Sequence, residues 1–199
     1  FTDMNVPIKV DIQAHLLVEV DGNDIDTLLK DCEKITKVME QYDCDEILFA
    51  DSSLQKEQLW KMRRAVGEAV KSNSVYKEED TVVPRAELPK LLKGVKSIGK
   101  EHGFKSVCYG HAGDGNLHIN IIKGDMNDKA WNEDLSKGIR EIFELTVSLG
   151  GTISGEHGIG LVQKEYMDIA FSEENIAIQK GIKSIFDPKG ILNPKKVFV

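Results

Sequence analysis

The chain has 199 residues, a net charge of −7, and 41% hydrophobic against 30% charged residues. That is the composition of a globular protein able to bury a core, in one domain or two small subdomains. No basic stripe marks a nucleic-acid surface, and no run approaches the roughly 18 apolar residues of a membrane span. Cys32, Cys44 and Cys108 are odd in number and lack CxxC spacing, so they suit a reducing cytosol rather than a disulfide or thiolate-metal framework.

The chain opens Phe1-Thr2-Asp3-Met4, as if cut from a longer polypeptide. Ile8 to Val20 alternates and then runs apolar before Asp21-Gly22-Asn23, which predicts a strand and a turn. Asp24 or Asp26 can cap a helix whose apolar positions run from Leu28 to Met39 at 3–4 spacing. Ile47-Leu48-Phe49-Ala50 reads as a second strand. Asp51 or Ser52 then starts a helix through Leu59, Trp60, Val66 and Val70. Asn73 to Pro84 is extended, and Arg85 to His102 is helical, with Pro89 in its first turn and Gly103 as its stop. Two strands, Lys105–Tyr109 and Leu117–Lys123, flank the glycine-rich turn His111–Asn116. A long helix covers Asp128 to Leu149, and a last one Glu173 to Phe186. The order β-α-β-α-β-α-β-β-α-turn-α lacks a GxGxxG after a strand, so a dinucleotide-binding parallel sheet has no support. An α+β fold, an antiparallel sheet with helices mainly on one face, fits better.

Chemistry concentrates in two segments. In Tyr109-Gly-His-Ala-Gly-Asp-Gly-Asn-Leu-His-Ile-Asn120, glycines let the chain double back, so His111 can meet His118 across the turn. Asn120 lies two residues beyond His118 and shares its face of the strand. A substrate contact and a sheet-edge polar residue are both open readings for it. Glu156 and His157 sit among the five glycines of Gly150–Gly160. Two imidazoles and a carboxylate give the three-ligand pattern of a catalytic metal with an open position, Zn²⁺ first and Mn²⁺ or Co²⁺ next. His157 is then free to serve as a base near neutral pH. Arg63 and Lys77 are cations suited to a carboxylate, although on spacing alone a solvated face is the favoured reading for both.

The stretches Trp60–Arg63, Glu79–Pro89, Tyr109–Asn120, Gly150–Gly160 and Asp187–Val197 together resemble the C-terminal domain of FAD-linked oxidases of the vanillyl-alcohol oxidase/PCMH superfamily. Within it, the D-lactate dehydrogenase, glycolate oxidase FAD subunit and D-2-hydroxyglutarate dehydrogenase group is most similar. The resemblance implies that residues 1–199 form the substrate and metal-binding cap, built from ferredoxin-like halves, and that the FAD-binding domain precedes it. His111, His118 and Glu156 would hold a divalent metal. His157 would take the hydroxyl proton of a 2-hydroxy acid while hydride passes to FAD. Arg63 and Lys77 would bind the substrate carboxylate, Asn120 would touch substrate near the metal, and Asn193 would approach the flavin.

Gly67 stands where hydroxyglutarate-type enzymes carry threonine, which leans toward a D-lactate or glycolate type of substrate. The implied acceptor is a quinone, an electron-transfer flavoprotein or an iron–sulfur subunit. A homodimer, a cytoplasmic location and peripheral membrane association through the acceptor are compatible with it. The alternatives are a metal-dependent hydrolase, and a non-catalytic domain when isolated.

Overall fold

The computed structural model describes residues 12–198, which divide into two units, Phe1–Ala69 and Val70–Val199. In the first, α1 (Ile25–Met39) starts where the Asp24 carboxylate accepts the Thr27 N–H at 3.0 Å. The long helix α2 (Ser53–Asn73) opens with a capping box. The Gln55 side chain accepts from the Asp51 and Ser52 backbone, and the Ser52 hydroxyl accepts from Gln55 N–H. Over the described residues, the strands predicted at Ile8–Val20 and Ile47–Ala50 are not formed. Residues 8–11 lie outside the described residues, and 12–20 and 47–50 have no regular structure. An apolar run becomes a strand only against a partner ladder, and here Leu16, Val18, Leu48 and Phe49 stay exposed.

The second unit carries the sheet. Strands β1 (Tyr76–Val82), β2 (Lys105–His111) and β3 (Asn116–Ile122) pair antiparallel in the order β1-β3-β2. Helix α3 (Leu88–His102) crosses from β1 to β2, carries Pro89 in its first turn and stops at Gly103, whose φ of +75° is left-handed. Helix α4 (Leu135–Ser148) follows β3 and continues a π-helical turn at Ala130–Asp134. Beyond it Thr152 bridges antiparallel to Val82 on the free side of β1. The β-α-β-β-α order, with this bridge in place of the fourth strand, is a ferredoxin-like unit. The short α5 (Met167–Ala170) and α6 (Glu173–Phe186) close the chain.

The period of two along β3 divides the sheet. Leu117, Ile119 and Ile121 face α3 and α4, where Leu91, Val95, Ile139, Ile142 and Phe143 are buried with them. Each such side chain contributes about 1.5–3 kcal/mol by leaving water. Asn116, His118 and Asn120 take the opposite face. Register puts Asp80 and Tyr109 beside His118, and Glu78 and Val107 beside Asn120. This polar face is where the site forms.

Glu79 is a carboxylate buried on the apolar side, on the same face as Lys77 and the buried Thr81. It is 1% exposed, and burial pushes its carboxyl up from 4.5 to about 7, against the pull of the Gln163 hydrogen bond and the Lys77 charge. The Glu78 charge adds to the rise, and the Glu79 charge in turn helps lift the Tyr166 phenol. Folding therefore favours the protonated carboxyl. The stability this confers is complete below 4.5 and is lost as pH rises toward about 7. Glu79→Gln is expected to stabilise the fold at pH 8 by up to about 3 kcal/mol, with no gain at pH 4. Thermal unfolding at the two pH values measures this, and an equal effect at both would refute the assignment.

Candidate active site

The hairpin between β2 and β3 sets the geometry. Asp114 N–H donates to His111 O at 2.9 Å, and Gly115 O accepts Val83 N–H at 3.0 Å. Gly115 has φ +76°, and a Cβ there would meet Val83 O at 1.9 Å, so only glycine fits. The turn brings His111 to His118 with ring centroids 6.1 Å apart. Tyr109 stands across from His118 at 5.6 Å.

The third side comes from the glycine-rich loop after Thr152. His118 Nε2 lies 3.0 Å from Glu156 Oε1, and the His157 ring stacks on His118 at 4.8 Å and 26°. Donor atoms of His111, His118 and Glu156 fall within 4.8 Å of one another. Those of Glu78, His118 and His157 do the same. His118 is 5% exposed, whereas His111, Glu156 and His157 reach the surface.

Asp80 organises this loop. It is fully buried on the site face. Its Oδ2 accepts the Glu156 N–H at 2.7 Å, the His157 N–H at 2.8 Å and the Ser154 hydroxyl at 3.2 Å. Its Oδ1 accepts the Asn116 amide at 2.7 Å. Burial opposes the charge, but the hydrogen bonds from His157, Glu156 and Asn116 outweigh it and hold the carboxyl below its usual range. Gly155 admits the loop here, because a Cβ would lie 2.4 Å from Asn116 Nδ2 and 3.1 Å from Asp80 Oδ1. One carboxylate thus fixes the backbone under two adjacent chemical residues.

The remaining residues singled out by sequence are placed differently. Asn120 is fully buried on the site face. It interacts with the Tyr109 phenol, yet neither amide atom makes a hydrogen bond of good geometry among the described residues. Lys77 points to the helix face, one residue out of phase with Glu78. Its ammonium donates to Trp131 O at 2.9 Å and lies 5.0 Å from the Trp131 ring centroid. Arg63 belongs to α2 in the first unit. Asn193 has φ +45° in the tail after α6, lining a concavity of about 290 Å³ with Asp187 and Phe198. Asp187 ties that tail by accepting Ile191 N–H at 2.9 Å and Leu192 N–H at 3.0 Å.

Residues 2–197 match the family "FAD linked oxidases, C-terminal domain". The chain belongs to that family. It is similar to a D-lactate dehydrogenase of Anaerostipes hadrus, 34% identical over 94% of this chain and 40% of that protein. The glycolate oxidase subunit GlcD of Bacillus subtilis is 34% identical over 97% and 41% of the two chains. A D-2-hydroxyglutarate dehydrogenase of Stutzerimonas stutzeri is 32% identical over 98% and 43%. The chain spans about 40% of the length of these curated relatives. No helix among the described residues is long and apolar enough to cross a membrane.

Proposed function

We propose that this FAD-linked oxidase domain forms the substrate and metal half of an enzyme that oxidises a 2-hydroxy acid of the D-lactate or glycolate type to the 2-oxo acid. The observation that carries this reading is the convergence of His111, His118 and Glu156 within 4.8 Å, with His157 stacked beside them. The set fits a borderline divalent cation such as Zn²⁺, with two imidazoles, one carboxylate and an open side. The buried His118 Nδ1 fits as well. Among the described residues it makes no hydrogen bond, but Glu78 stands 3.5 Å away to accept its proton, which frees Nε2 as a donor atom.

Bound, the cation would lower the proton affinity of the substrate hydroxyl, and flavin on the preceding domain would take the hydride. His157, half-exposed and held by Asp80 through its backbone, would receive the hydroxyl proton. Asn120 offers an amide to the substrate from the buried wall. For the substrate carboxylate the family resemblance offers Arg63 and Lys77, and of the two the Lys77 ammonium donates to Trp131 O on the helix face. Flavin contact from this chain falls to Asn193, beside the exposed Ile191 and Leu192. A hydrolytic metal site draws no support from the family match.

The test is a screen of the full-length, flavin-loaded protein with D-lactate, glycolate and D-2-hydroxyglutarate and an artificial electron acceptor. Bleaching of the flavin by D-lactate or glycolate is expected. A flavin untouched by every 2-hydroxy acid would sink the reading.

A further inference from the structure

Sequence draws attention to Lys77 as a cation for the substrate, but register places its neighbour in the site. Glu78 pairs with Asn120 and stands on the face of Asp80 and His118. Its Oε1 is 3.5 Å from His118 Nδ1, and donor atoms of Glu78, His118 and His157 lie within 4.8 Å of one another. Its side chain is 25% exposed, so the charge is partly shielded from water. The neighbouring carboxylate, Asp80, is saturated by two backbone N–H groups, a hydroxyl and an amide. Glu78 has no such set among the described residues, only His118 Nδ1 at 3.5 Å. Its charge lies on β1 opposite Asn120, across β3 from the strand of Tyr109, where the far end of a substrate would meet it on this wall.

We infer that Glu78 is a specificity-determining residue, whose carboxylate selects 2-hydroxy acids with a neutral or hydroxyl-bearing far end and rejects those with a second carboxylate. This rests on the 2-hydroxy-acid reading above and deepens it. A second carboxylate would approach a like charge in a half-buried site, and like-charge juxtaposition is strongly unfavourable there. A hydroxyl would instead donate to Glu78.

The test compares binding of pyruvate and 2-oxoglutarate, one and two carboxylates respectively, to the full-length, zinc- and flavin-loaded protein. Titration calorimetry on wild type, Glu78→Gln and Glu78→Lys reads the affinity ratio. Wild type should prefer pyruvate. Glu78→Gln should shift the ratio toward 2-oxoglutarate by at least about tenfold, and Glu78→Lys should shift it further. Glu78→Gln is isosteric, so it carries the test if the charge reversal disturbs folding. A ratio unmoved in both variants, an equal fall for both acids, or no binding of either acid would overturn the inference. Failure of every 2-hydroxy acid to bleach the flavin would strike the activity reading alone, because the binding ratio judges Glu78 without turnover.

Discussion

Replacing His157 with Ala is expected to slow flavin reduction by about 10²–10⁴-fold while leaving zinc bound. The imidazole stacks on His118 rather than joining His111, His118 and Glu156, and its Nε2 is 3.9 Å from Glu156 Oε1. On the roles proposed above, the substitution takes away proton acceptance and keeps the donor set. Stopped-flow reduction by D-lactate, with metal content measured on the same sample, separates the two roles. Zinc lost in step with activity would recast His157 as a ligand. That outcome has a structural basis, since its donor atom also groups with those of Glu78 and His118.

Asp80→Asn is expected to weaken zinc binding by about 10–100-fold, although Asp80 is no ligand in this arrangement. The amide keeps one acceptor but turns a donor toward the Glu156 and His157 N–H groups or toward Asn116. Each buried donor left without an acceptor costs about 1–3 kcal/mol. The loop then has reason to swing away from the sheet, and Glu156 moves off His118 with it. Zinc titration by calorimetry gives the affinity, and amide exchange at residues 154–158 reports the loop. Unchanged affinity with a protected loop would show that Val82–Thr152 pairing alone holds it.

The hairpin and its two histidines were legible because glycine spacing and strand period are local signals. His111 and His118 meet as the turn between them requires, and Asn120 shares the face of His118. The same period explains why Lys77 and Glu78 are hard to tell apart. In Lys77-Glu78-Glu79-Asp80 every residue is polar, so no hydrophobic alternation reveals which pair faces the helices. Only pairing with β3 assigns Glu79 to the core and Asp80 to the site. Asp80 was visible as part of a motif but not as a loop anchor, because its partners lie 74 to 77 residues away. In the first unit, the apolar stretches around Val18 and Phe49 have strand-like composition, and nothing in the described residues pairs with them.

The lone bridge from Val82 to Thr152 has a consequence for the order of assembly. The β2–β3 hairpin closes over a few residues and can form early, carrying His111 and His118. The bridge closes a span of 70 residues, and the entropy of that closure is met only by contacts made when the sheet and α4 are already in place. Glu156 and His157 arrive with it. The proposed donor set is thus the last part of the sheet's polar face to assemble, after the hairpin that carries His111 and His118.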